Sequence, residues 1–266
     1  MALLRLVRRQ VAMNVMVTIE YRGAFFVFML TTAIGPLISL LVWLAASEQG
    51  VALPYGRREF VTYFVLLGLV DMLTGVWLGW YLADDIRRGA LSPLLLRPAS
   101  FMAHYIGNNI GEKVVKLPLL LPLVALVAIA FRTDFRPPVD AQRWLLFILA
   151  LPLAAATAFW LEVAIASLAF WMQDVRGLLR VKHLLAGLLA GQFVPLALFP
   201  PVLQTWLEVQ PFRYILSFPL EVLTGHLGLP ALWRGFAWQI LYAVAFWALY
   251  RLLWSAGLRR YEAPGG

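Results

Sequence analysis

"AFFVFMLTTAIGPLISLLVWLAA", residues 24–46, carries no charge and is long enough to cross a bilayer, which takes about 20 mainly apolar residues. The rest of the chain follows the same pattern. Of 266 residues, 62% are hydrophobic and 14% charged, with a mean hydropathy of +0.79. Soluble domains are nearer about 45–50% apolar and about 25% charged. So few charges cannot cover a soluble surface. The composition specifies an all-α integral membrane protein, with residues 1–266 forming a single transmembrane domain.

Further spans are read outward from the first. Residues 60–83 make a second, holding Asp71. A third, 106–131, has Lys116, Pro118 and Pro122 in its first half. Residues 144–172 make a fourth and hold Glu162. The fifth begins near Leu184 and is interrupted by Pro195 and the Pro200–Pro201 pair, and the sixth runs from Phe236 to Trp254. Six transmembrane helices are therefore expected. Lys and Arg set orientation, because cytoplasmic segments carry the excess. With the N-terminus cytoplasmic, the inner segments hold fifteen basic residues, Lys113, Lys116 and Lys182 among them, against seven outside. Both termini are then cytoplasmic. The net charge of +8 reads as topology, and no nucleic-acid partner is expected. The first apolar stretch has span length and no small-residue cleavage pattern, so it is no secretory signal.

Two segments are read as lying on the membrane. Within residues 1–23, "LLRLVRRQV" places Leu3, Leu4, Val7 and Val11 on one helical face and Arg5, Arg8 and Arg9 on the other, the pattern of an interfacial helix. Residues 209–230 are apolar but punctuated by Pro211, Pro219, Gly225 and Pro230. Such backbone is tolerated at membrane depth only when protein or a cavity surrounds it. A broken re-entrant hairpin on the outer side is expected.

The cytoplasmic loop "DDIRRGALSPLLLRP", residues 84–98, is apolar in its second half yet too short to span. Asp84 and Asp85 are placed to open a short helix, Gly89 to break it, and Ser92–Pro93 to cap a second turn. Leu94, Leu95 and Leu96 then either form an exposed interaction knob or dip into the interface and the bundle.

The run "IRRGALSPLLLRP" resembles the cytoplasmic-loop signature of ABC-2-type transporter permeases, specifically the short six-span subgroup without a fused ATPase. The resemblance covers nearly the whole chain. It implies a coupling helix that docks on an ATP-binding subunit, present in two copies, with a second permease, identical or related, completing the pair. Gly89, Leu91, Leu95, Arg97 and Pro98 match the pattern; Asp84, Asp85, Arg87, Arg88, Leu94 and Leu96 flank or interleave them. It further implies export across a bacterial cytoplasmic (inner) membrane, and the apolar, aromatic-rich spans suit an amphiphilic or hydrophobic substrate. No cofactor is expected on this chain, with ATP and Mg on the partner.

The motif inventory agrees. No G-x-x-x-x-G-K-[ST], H-E-x-x-H or G-x-S-x-G occurs, and there is no cysteine. His104, His183 and His226 lack metal-ligand spacing, so no metal site is expected. Asp71 and Glu162 are costly within spans. They either line a pathway or tie two helices together. An integral membrane enzyme acting on a lipid-linked substrate and an ion-coupled carrier are the competing readings, and no inverted repeat supports the carrier.

Overall fold

The computed structural model describes residues 2–50, 56–92 and 101–261, is 81% helical, and has no strand among those residues. The helices are α1 (Ala2–Glu20), α2 (Arg22–Glu48), α3 (Arg57–Thr74), α4 (Gly79–Arg87), α5 (Phe101–Ala130), α6 (Ala141–Ser167), α7 (Arg176–Leu189), α8 (Pro201–Val209), α9 (Ser217–Thr224) and α10 (Leu229–Leu258). Short 3-10 turns occupy Leu168–Phe170, Leu196–Leu198 and Pro211–Tyr214.

The most extensive packing joins α6 to α10. They run parallel: Gln239 donates to the Ala150 carbonyl (3.3 Å), Trp160 stacks on Tyr250 (5.2 Å), and Phe170 meets Trp254 edge-on (5.1 Å). Gly235 and Gly257 lie directly against the rings of Phe218 and Phe170, where a Cβ would collide. Asp140 starts α6 by accepting the Gln142 amide at 2.9 Å. The starts of α3, α6 and α10 share one end of the bundle, where Arg57 pairs with Asp134 (3.2 Å) and Arg143 reaches the Thr224 carbonyl (3.3 Å). The opposite end holds Asp84, Phe101, Arg176 and Trp254.

Among the described residues, five helical stretches are long and apolar enough to span: Met29–Glu48, Arg57–Arg87, Phe101–Ala130, Ala141–Phe170 and Leu229–Leu258. Three expectations change. The helix expected from Leu184 instead runs over Arg176–Leu189, ahead of the prolines. Its 14 residues, at about 1.5 Å each, fall short of an about 30 Å hydrocarbon core. The chain nevertheless passes from Arg176, beside Asp84, to Ala190 and Gly191, beside Ser217 and Tyr63. Second, the 60–83 span is two helices, broken between Thr74 and Gly79. Third, Asp84 and Asp85 do not open a helix; they close α4 in its last turns.

α5 continues through Pro118 and Pro122 without a break. Between α7 and α10 the chain makes short pieces. The Tyr214 carbonyl is bonded by Gln239, well inside α10 (2.9 Å), and α9 then returns to Arg143 at the start of α6. Gly225, at φ +78°, ends α9 in a left-handed turn that other residues adopt at a cost. α1 is docked on α5 more closely than an interfacial helix requires. At Gly111 a Cβ would sit 3.0 Å from the Asn14 side chain and 3.1 Å from the backbone of Gln10 and Val11. Gln10 donates to His104 (2.9 Å) and Asn14 to Asn108 (3.1 Å). The side chains of Leu3, Leu4, Arg5 and Val7 lie outside the described residues.

Candidate functional site

The break in the second span organises the polar side chains of the membrane interior. Thr74 turns its hydroxyl onto the Val70 carbonyl (2.9 Å), and Gly75 leaves the helix in extended conformation. Helix ends expose unsatisfied carbonyls on one side and amides on the other. In hydrocarbon each must find a partner. The Lys113 ammonium, from α5, donates to the carbonyls of Gly75 (2.5 Å) and Met72 (3.4 Å). The Glu162 carboxylate, from α6, accepts the Gly79 amide (3.2 Å). Each charge matches the helix dipole it faces: cation at the C-terminal end of α3, anion at the N-terminal end of α4.

Glu162 is fully buried, and its second oxygen accepts from Lys182 of α7 at 2.5 Å. Gly79 permits this approach, since a Cβ there would lie 2.6 Å from Glu162 Oε1 and 2.9 Å from Leu179. Lys182 also lies 3.2 Å from His183 Nε2, while His183 Nδ1 faces the Leu179 carbonyl at 2.7 Å. An ammonium can only donate, so Nε2 accepts and Nδ1 carries the proton. The imidazole stacks on Trp77, within the break, at 4.4 Å. Asp71, half-buried one turn before the break, is within electrostatic reach of Lys113 and Lys182.

Asp71 and Glu162, singled out in the sequence, thus both lie within reach of Lys182. Lys113, Lys182, Trp77 and His183 were not anticipated there, and the two lysines had been assigned to cytoplasmic segments. A signal was present. The chain has only three lysines, 113, 116 and 182, and every other basic residue is arginine. All three gather here: Lys116 pairs with Glu112 one helical turn from Lys113. Lysine suits the task, being a compact charge with three donors on a flexible stem.

Below the break, α4 leads into the loop. Arg176 holds both oxygens of Asp84 (2.9 and 2.8 Å), Tyr105 donates to Asp85 (2.6 Å), and Arg87 donates to the Gln173 carbonyl (3.1 Å). Gly89 takes φ +73°, and Arg88 is exposed with a 3.5 Å approach to Asp84. Leu91 is wholly buried in the bundle core, so it anchors the loop rather than facing outward. The Ser92 and Tyr261 hydroxyls lie 3.3 Å apart. Leu94, Leu95, Leu96, Arg97 and Pro98 lie outside the described residues.

A second polar site lies in the segment between α8 and α10. Arg213 pairs with Glu221 at 2.6 Å, both nearly buried, between clefts of about 180 and 140 Å³. No group of His, Asp and Glu among the described residues is arranged to hold a metal.

The sequence profile described as "ABC-2 family transporter protein" matches residues 33–265. The chain belongs to the ABC-2 family of transporter proteins. No curated protein and no solved structure matches it. The family supplies the multi-pass membrane component of transporters, which is generally not itself catalytic and works with an ATP-binding subunit. In this permease the match begins within α2 and takes in the break, the loop and residues 209–230.

Proposed function

We propose that the chain is the permease subunit of an ATP-driven exporter in a bacterial inner membrane, carrying an amphiphilic or hydrophobic substrate. ATP is hydrolysed on two copies of a separate subunit, and a second permease, identical or related, completes the pathway. The chain crosses six times, with α7 and the residues up to Pro200 making the fifth crossing, residues 209–230 a re-entrant hairpin on the outer side, and both termini in the cytoplasm. The single observation that carries this reading is the junction of loop and span. Residues 84–92 are tied to α5 by Tyr105, to α7 by Arg176 and to the C-terminal end by Tyr261. They continue directly into α4, which is separated from α3 by the break. Force applied to the loop therefore reaches α4 as a short lever, and Lys113 and the Glu162–Lys182 pair hold its pivot.

The loop is tested by contrast. Leu95→Glu removes an apolar side chain worth about 1.5–3 kcal/mol when buried on a partner, and about 1.4 kcal/mol is a tenfold change in affinity. Retention of the co-expressed ATP-binding subunit in detergent should fall at least tenfold while the permease stays monodisperse. Leu91→Glu should instead compromise the permease itself. Undiminished retention by Leu95→Glu would refute docking through this loop. Reporters fused after Gly50, Asp140 and Leu229 should read outside, and those after Ala99, Gly177 and Gly266 inside; an outside signal at the C-terminus ends the six-crossing reading.

A further inference from the structure

A groove of about 410 Å³ opens between α1, α5 and the broken span. Its size falls within the range of small-ligand sites. Tyr21, Trp77 and Tyr81 offer it aromatic surface, and they are 60%, 46% and 66% exposed. Rings so exposed around one recess, with the Glu112 carboxylate beside them, suit an ammonium group, which is drawn to the faces of Trp and Tyr. Lys116 lines the same groove and suits a phosphate as a point charge. Asn14 and Asn108, bonded to each other at 3.1 Å, add amide donors and acceptors.

Charge narrows the ligand further. Glu112 and Lys116 form an ion pair within the groove, with side chains 29% and 16% exposed. Among the described lining residues the two charges cancel and leave the groove polarised. A free anion would meet Glu112, and a free cation would meet Lys116. A zwitterion brings one charge of each sign to a pair that already presents both. The surrounding helices carry exposed apolar side chains, Met13, Met16 and Val17 on α1 and Ile110 and Val114 on α5, which suit acyl chains.

We infer that this groove is a binding site for the zwitterionic headgroup of a phospholipid, with the phosphate at Lys116 and the ammonium among Tyr21, Trp77, Tyr81 and Glu112. The bound headgroup touches the break directly. Trp77 stacks on His183, which adjoins Lys182 and through it Glu162. The site stands apart from the exporter reading, because binding is measured on the permease alone.

Native mass spectrometry of the detergent-purified permease tests it, with phosphatidylethanolamine and phosphatidylglycerol of identical chains offered at equal concentration. One phosphatidylethanolamine per chain should be retained at least fivefold over phosphatidylglycerol. Lys116→Gln and Glu112→Gln should each lower that retention at least fivefold. Tyr81→Ala removes an exposed ring, keeps the charge pair, and should lower it at least threefold, so the test survives if the charge variants misfold. Equal retention of the two lipids, or retention unchanged in a monodisperse Tyr81→Ala protein, means annular lipid only and overturns the site. If glycerophosphoethanolamine, which lacks acyl chains, binds as tightly as the lipid, the phospholipid assignment falls and the groove takes a soluble zwitterion.

Discussion

Two interruptions at membrane depth are sealed by different chemistry. Between Thr74 and Gly79 the open backbone meets an ammonium and a carboxylate. After Leu189 it meets neutral donors: Gln210 on the Leu189 carbonyl (2.8 Å), Ser217 on Ala190 (2.5 Å) and Tyr63 on Gly191 (3.0 Å). A neutral hydrogen bond contributes about 0.5–1.5 kcal/mol net. A buried charge stripped of its partner costs about 3–5 kcal/mol. The charged seal lies on the span that bears the loop, and the neutral one lies nearer the opposite end of the bundle. A charged seal holds one geometry firmly and passes to another only when both charges find new partners. That is the behaviour expected of a pivot. The neutral seal is expected to stay fixed.

The contrast is broken most severely at Glu162. Glu162→Leu should strand Lys182 and the Gly79 amide and cost about 3–5 kcal/mol, read as early loss of monodisperse protein on heating in detergent. Joint replacement, Glu162→Gln with Lys182→Met, should recover most of that stability while leaving transport impaired; full transport in the double variant would remove the pivot's role. Next comes Gly191→Ala at the neutral seal. At φ +83°, with Ser217 and Tyr63 against the Cβ position, it should destabilise by more than about 1 kcal/mol. Gln210→Ala should cost about 1–3 kcal/mol for the buried carbonyl it abandons, lowering melting temperature while transport per folded molecule stays constant.

Smaller effects lie away from both seals. Burial pushes the His226 imidazole, in the turn after α9, below its usual 6.5. The folded chain then resists a proton that the unfolded chain accepts. Its contribution is full above pH 6.5 and is lost as pH falls from there toward the depressed value. His226→Gln should flatten stability across that window and leave it unchanged at pH 8. Arg57→Ala should change stability least, by about 0.2–1 kcal/mol, because the side chain is half exposed and its pair with Asp134 is solvated.

The long uncharged runs made the membrane class and most helices legible, because hydrocarbon thickness fixes length and composition together. The break was not legible. "DMLTGVWLG" sits inside Arg57–Arg87, a stretch with the hydropathy of a continuous span, and the partners that make its interruption tolerable come from residues 113, 162 and 182, far along the chain. Lysine counted as topology misled for the same reason: a charge inside a helix and a charge beside one look alike until the neighbour is known. The helix expected from Leu184 begins earlier than its most apolar stretch, Leu184 to Leu198, suggests, because its first residue, Arg176, has its charge held by Asp84. Asp71 and Glu162 were legible as unusual and not as two acids within reach of one lysine, Lys182. Leu91 matched a loop motif by letter, and only packing reveals that it points inward.

The scarcity of lysine has an experimental use. The ε-amines of Lys113 and Lys182 are engaged with backbone carbonyls and a carboxylate, and no other lysine except Lys116 competes for an acylating reagent. A small amine-reactive ester applied during turnover should leave the closed pivot unmodified and acylate Lys113 or Lys182 once α4 swings away. Peptide mapping would then date the opening of the second span on the native chain, with no cysteine or dye introduced.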